Sequence, residues 1–164
     1  MSKSKKESAG ERASGAEAFA DTEDFVTFTI AEQLFGIPVL KVQDVLSGHN
    51  ITRIPLAPPE IAGSLNLRGR IVTAMDVRLR LGLPPRECGN SMSIVAEHEG
   101  ELYSLMVDSV GEVLALKSSD WERNPPTLDP KFREYSLGIY RLDNKLLVVL
   151  DVNRLLDYSR VQAA

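Results

Sequence analysis

The sequence predicts a mainly β protein made of two small barrels side by side, with short helices at turns and near the C-terminus. Three observations carry this reading. Short runs of alternating apolar and polar residues recur along the chain and are separated by Gly- and Pro-containing turns. No segment shows a long 3.6-residue periodicity. The chain also repeats itself: Leu34–Leu46 overlies Leu102–Leu114 without a gap, at an offset of 68 residues. Val39, Val42 and Val45 then meet Val107, Val110 and Val113, and Asp44 meets Glu112. Further on, SLNLRGRIVTAMDVRLRL (64–81) resembles SLGIYRLDNKLLVVLDVNRLL (136–156). Two copies fit two barrels, because closing each sheet on itself removes its exposed edges.

Taken in order, residues 1–22 are small, polar and charged, and read as a disordered tail. The tail lacks the apolar core of a secretory signal. FVTFTI (25–30) places Val26, Phe28 and Ile30 on one face of a strand, with Phe25, Thr27 and Thr29 on the other. LFGIPV (34–39) is its hairpin partner, ended by Pro38. VLKVQDV (39–45) reads as one helical turn between strands. LAPPEIAG (56–63) is a turn region. SLNLR and IVTAMDV form a hairpin about Gly69, and Arg78 and Arg80 fall in a short helical stretch after Asp76-Val77. SMSIVAEHEGELYSLMV turns at Glu99-Gly100, and WERNPPTLDPKF (121–132) reads as a long loop. LGIYRLDNKLLVVLDV (137–152) turns at Asp143-Asn144, and a short helix over 153–158 is capped by Asn153. The expected division is a first barrel over 23–86 and a second over 87–153.

The 164 residues bury enough surface to be stable without a metal or disulfide. The single cysteine, Cys88, excludes an internal disulfide and suits a reducing cytosol. No apolar run approaches the roughly 20 residues of a membrane span. A net charge of −4 argues against general nucleic-acid binding. The chain has no metal-ligand spacing, phosphate loop or nucleophile elbow, so no cofactor, metal or catalytic residue is expected. The conspicuous feature is GSLNLRGRIVTAMDVRLRLGLP (63–84), where Arg68, Arg70, Arg78 and Arg80 surround one strand. Such a cluster serves as a solvated edge, a docking surface for protein or a nucleic-acid patch.

Linked motifs narrow the choice. FGIPVLKVQDV, ITRIPLAPPEIAGSLNLRGRIVTAMDVRLRLG, MVDSVGEVL and LGIYRLDNKLLVVLDVNRLL occur in that order, and together they resemble the CheW family of bacterial chemotaxis coupling proteins over about residues 23–158. The resemblance implies two SH3-like five-stranded barrels and a cytoplasmic adaptor without catalysis. Such an adaptor links the cytoplasmic tips of chemoreceptors to the regulatory domain of the histidine kinase CheA at membrane-associated arrays. It carries receptor coupling onto Asp44 and Arg68, with Asp44 standing where the family more usually has glutamate. Val39, Val42, Val107 and Val110 are the candidates for an apolar groove between the barrels that would receive a receptor helix. Gly63 belongs to the same set, and Gly63 and Gly69 are read as backbone positions where a side chain would clash or strain a turn. Other classes predict other surfaces. A nucleic-acid-binding barrel would use the four arginines together, and a small-ligand binder would need an enclosed pocket in the groove.

Overall fold

The structure, a computed structural model, describes residues 21–48, 50–85 and 92–157. The tail up to residue 20, His49, Cys88 and Tyr158 lie outside these residues, and with them the readings of a disordered tail and a free thiol. The first strand already begins at Thr22.

Eleven strands follow one another: β1 (Thr22–Ile30), β2 (Gln33–Pro38), β3 (Val42–Ser47), β4 (Ile61–Leu67), β5 (Arg70–Asp76), β6 (Met92–His98), β7 (Glu101–Val107), β8 (Ser109–Lys117), β9 (Trp121–Glu122), β10 (Ser136–Arg141) and β11 (Leu146–Leu150). Among the described residues the single-turn α-helices are α1 (Val77–Arg80), α2 (Pro130–Arg133) and α3 (Val152–Leu155), and Val39–Lys41 and Ser118–Asp120 form 3-10 turns. Among the described residues, no helix is long and apolar enough to cross a membrane. The hairpins fall where the alternation and turn residues place them. Ala31–Glu32, Arg68–Gly69 and Glu99–Gly100 are two-residue turns with positive φ at both positions, the geometry that matches the twist of paired strands.

Three details differ from expectation. Of the stretch 39–45 read as a helical turn, only Val39–Lys41 is one, and β3 takes over at Val42 because Val42–Ser47 pair with β6. Asp151, one residue before α3, is its N-cap and accepts the N–H groups of Asn153 and Arg154, so Asn153 is the capped residue and not the cap. The stretch 121–132 is not all loop. Its ends form β9 and the start of α2, where Asp129 caps a helix opening on Pro130.

The larger difference lies in how the halves combine. One sheet has the order β8-β1-β2-β11-β10-β9 and the other β3-β6-β7-β5-β4. The expected boundary near residue 86 therefore does not separate two barrels. The hairpin β1–β2 joins β8–β11, and the hairpin β6–β7 joins β3–β5. The repeat explains the exchange. β1 and β2 correspond to β6 and β7, β3 to β8, β4 to β10, and β5 to β11, so the two sheet orders are the same list with copies traded. Even the one parallel pair recurs, as β2 with β11 and β5 with β7.

Each sheet closes by the same device. β8 bends through Ser118–Asp120 into β9, which pairs with β10 on the far side. In the other sheet the chain beyond β3 returns at Thr52 to bridge Ser64 of β4, with N–H to O bonds of 2.8 Å in both directions.

The core follows from this arrangement. The interior of one barrel holds Phe25, Tyr140, Leu147 and Val149, and that of the other Leu65, Val72, Ala74, Val95 and Leu102. The largest cluster draws on both sheets and packs them together, with Phe28, Phe35, Ile37, Met75, Ile94 and Leu105 at its centre. Phe28 stacks on Phe35, whose ring also meets Phe132 of α2 edge-on.

Two phenols inside this framework make stability sensitive to alkali. Burial, joined by the charge and hydrogen bond of Glu101 and the charge of Glu99, pushes the Tyr103 hydroxyl above its usual value of 10.0. Burial, with Glu23 and Asp120, does the same to Tyr140. Below about pH 10 both the folded and the unfolded chain keep these protons. As pH rises further the unfolded chain releases them first, so stability falls until the folded phenols ionise too. The urea midpoint is expected to drop as pH rises above about 10, with a shallower drop in the Tyr103→Phe and Tyr140→Phe proteins. A midpoint with the same pH dependence in those variants would show that other groups govern the alkaline limb.

Candidate functional site

The site is built on β3 and the β4–β5 turn. The register of β3 against β6 shifts between Val42 and Asp44, so Gln43 is the extra residue of a bulge. A bulge re-aims the side chain that follows it. The Asp44 carboxylate is then held at both oxygens. Oδ1 accepts the N–H of Val45 at 2.8 Å, and Oδ2 lies 3.0 Å from Nη2 of Arg68. Arg68 stands at the tip of its hairpin with 77% of its side chain exposed, against 27% for Asp44. The pair rims a shallow hollow lined also by Gln43, Leu67, Arg70, Val95 and Leu102. Arg70 has no acidic partner among the described residues, so the rim carries two arginines against one aspartate. Exposed Val45 and Ile71 follow Asp44 and Arg70 on the same two strands and so point to the opposite face.

The shorter Asp44 side chain therefore does reach Arg68. The other expected members of the site part company from this pair. Val107 is 2% exposed inside the central cluster, and Val39, Val42 and Val110 are half-buried against it. The groove predicted between the barrels is filled by this shared core, and Val39, Val42 and Val110 seal its margin. Val107 is thereby corrected from a contact residue to a core residue. Gly63 is also buried, and it serves the closure of its barrel. A Cβ there would lie 2.2 Å from the carbonyl oxygen of Thr52.

The four arginines do not form one patch. Arg78 donates to Asp108 at 2.7 Å and to the carbonyl of Pro84 at 3.1 Å, and Arg80 is only 6% exposed among carbonyls of the C-terminal segment. Two of the four thus face their own chain, which removes the continuous basic surface that a nucleic-acid reading requires. A second depression, lined by Lys41, Glu97, His98, Glu99, Asn153, Arg154 and Asp157, carries both signs of charge and is open to solvent. Neither hollow is the enclosed pocket that a small-ligand reading predicts. Among the described residues no cluster of side chains is suited to hold a metal ion.

The residue missed from sequence is Gln43, which aims Asp44 through a bulge that only the pairing with β6 reveals. Arg70 stood in the basic cluster read from the sequence, and the structure separates it from Arg78 and Arg80, which bond to their own chain.

Comparison with known proteins agrees with this architecture. A family model of the CheW-like domain matches residues 24–160. The chain is 31% identical over 137 residues to the chemotaxis protein CheW of Klebsiella aerogenes, covering 82% of this chain and 81% of that one. It is 26% identical over 153 residues to chemotaxis protein CheW of Helicobacter pylori, covering 89% and 92%. The crystal structure of the scaffolding protein TtCheW from Thermoanaerobacter tengcongensis superposes with a TM-score of 0.75 at 31% identity, over 84% of this chain and 94% of that one. Two SH3-like subdomains, a duplicated strand order and matches over most of the chain lead to one assignment: this chain belongs to the CheW family of chemotaxis coupling proteins.

Proposed function

We propose that this chain is a non-catalytic cytoplasmic adaptor that joins chemoreceptor tips to the regulatory domain of the histidine kinase CheA, and that Asp44 and Arg68 form part of its receptor-facing surface. The observation that carries the reading is the exposed Asp44–Arg68 pair on a chain of this family. An exposed ion pair contributes only about 0–1 kcal/mol to stability, so its value lies in the charge pattern it presents. With Arg68 and Arg70 against one acid, that pattern favours an acidic position on the receptor helix. Leu67, which lines the same hollow, supplies apolar contact beside it. Val39, Val42 and Val110 contribute by the part of their surface left at the seam, whereas Gly63 and Val107 act through the fold.

The test is calorimetric titration at two salt concentrations, with the purified regulatory domain of the kinase and with a soluble helical hairpin carrying the receptor tip. One-to-one binding of each is expected, and Arg68→Ala should weaken the receptor-tip complex about tenfold while the kinase complex is kept. The tip complex should also weaken as salt rises. Absence of binding to both at low salt would overturn the adaptor reading. Equal affinity of the wild type and Arg68→Ala for the receptor tip would remove Arg68 from that surface.

A further inference from the structure

We infer that Asn66 is the positioning residue of this surface, fixing the turn that presents Arg68 to Asp44. The inference rests on the receptor-facing reading above. Arg68 and Gly69 have φ of 52° and 84°, so an arginine occupies a left-handed position that residues with a Cβ adopt at a cost. Packing does not hold it there. Arg68, Gly69 and Arg70 are exposed, and a Cβ placed on Gly69 would meet nothing within 4 Å. The turn is held by hydrogen bonds, and the side-chain bond is that of Asn66, whose Oδ1 accepts the Gly69 N–H at 3.0 Å. The molecule uses the same device in the Ala31–Glu32 turn, where Oδ2 of Asp108 accepts the Ala31 N–H at 2.8 Å. Asn66 is itself exposed at the end of β4, so its side chain serves the turn without being needed by the core. Without it the turn samples other geometries, and the Arg68 guanidinium spends less time on Asp44.

Asparagine lacks the charge to act on the partner as Arg68 does, and this separates positioning from contact. The full-length wild type, Asn66→Ala, Asn66→Asp, Arg68→Ala and the double variant Asn66→Ala/Arg68→Ala are titrated with the receptor-tip hairpin. The Arg68 Nε–Hε resonance is followed by NMR in the proteins that keep Arg68, with Asp44→Ala as the reference for an unpaired arginine. Asn66→Ala is expected to weaken binding about threefold to tenfold, the range of one lost hydrogen bond. It should also move the Arg68 resonance toward its position in Asp44→Ala. Asn66→Asp, which accepts the same N–H, should keep the Arg68 resonance nearer its wild-type position than Asn66→Ala does. The double variant should bind no more weakly than Arg68→Ala alone. An Arg68 resonance unmoved in Asn66→Ala would overturn the inference whatever the binding shows. So would an Asn66→Ala loss of equal size in the Arg68→Ala background, because Asn66 would then act by its own contact. If Arg68→Ala leaves binding unchanged while the resonance moves as expected, the receptor-facing reading fails and the positioning role stands.

Discussion

Gly63→Ala is expected to lower stability by about 3–5 kcal/mol, a large share of what a domain of this size has. The reason is local. Gly63 has φ of 151°, and a Cβ added there would meet the Thr52 carbonyl oxygen at 2.2 Å, Ile51 Cγ2 at 2.7 Å and the Thr52 carbonyl carbon at 2.8 Å. Two of these atoms are backbone, and that backbone is tied to the next residue by the paired Thr52–Ser64 bonds. Relief of the clash requires the closing segment to lift from β4, which exposes the interior around Leu65, Val72 and Leu102. The corresponding glycine of the other barrel, Gly138, makes the comparison informative. A Cβ there would lie 2.2 Å from Nε1 of Trp121, but the obstacle is a side chain already 42% exposed. Gly138→Ala should therefore cost less, about 1–2 kcal/mol. It should shift the emission of Trp121, the single tryptophan of the chain, toward that of a solvated indole. Urea denaturation of the two variants checks both. A Gly63→Ala loss below about 1 kcal/mol would mean that the barrel does not depend on this closure. A coupling defect in Gly63→Ala would follow from the loosened barrel that carries β3 and the Arg68 turn.

The same comparison shows where sequence and structure part. Hairpins are local objects, so period-two patterning and a two-residue turn are enough to find them. Val26, Phe28 and Ile30 fall on the face that enters the central core, and Phe25 on the face that enters its own barrel, as alternation requires. The repeat was equally legible, because it is a property of the sequence alone. The partner of each hairpin was not. β1 pairs with β8 some eighty residues away, and nothing in either strand distinguishes that neighbour from β3. The duplication even favours the wrong answer, since two similar halves suggest two separate units. Burial misled for a related reason. Val107 and Val39 occupy the same position of the repeat, yet one is buried and the other half-buried, because apolar spacing describes a residue that seeks cover without saying whether a partner protein or the opposite sheet provides it. For Asp44 and Arg68 the family resemblance supplied the two positions but not their contact, which the bulge at Gln43 and the turn at Arg68–Gly69 make possible.

The arginines carry this argument to its strongest consequence. Arg80→Ala is expected to cost about 3–5 kcal/mol although the sequence presents Arg80 as one more member of a basic run. Its guanidinium donates to the carbonyl of Leu155 at 2.8 Å, to those of Asp157 at 3.3 Å and Arg154 at 3.5 Å, and lies 3.5 Å from Oε2 of Glu60. It also sits 5.3 Å from the centre of the Tyr135 ring. One side chain of the first copy thus donates to carbonyls at the end of α3 in the second, where a helix runs out of internal donors. Truncation takes the 2.8 Å donor from the Leu155 carbonyl and leaves the Glu60 carboxylate, 17% exposed, without its cation. Arg80→Lys keeps the charge but not the planar fork, and should fall between the alanine variant and wild type. Glu60→Gln made together with Arg80→Ala should recover part of the loss, because it removes the stranded charge while the Leu155 carbonyl still lacks the Arg80 donor. Urea denaturation measures the four proteins, and hydrogen exchange at the Leu155 and Leu156 amides, which bond to Asp151 and Val152, locates the damage at α3. A loss below about 1 kcal/mol, or protection unchanged at both amides, would show that the C-terminal helix holds without Arg80. The expected result separates the two pairs of arginines by what they do: Arg78 and Arg80 hold the copies of the repeat to each other, and only Arg68 and Arg70 are left to meet a partner.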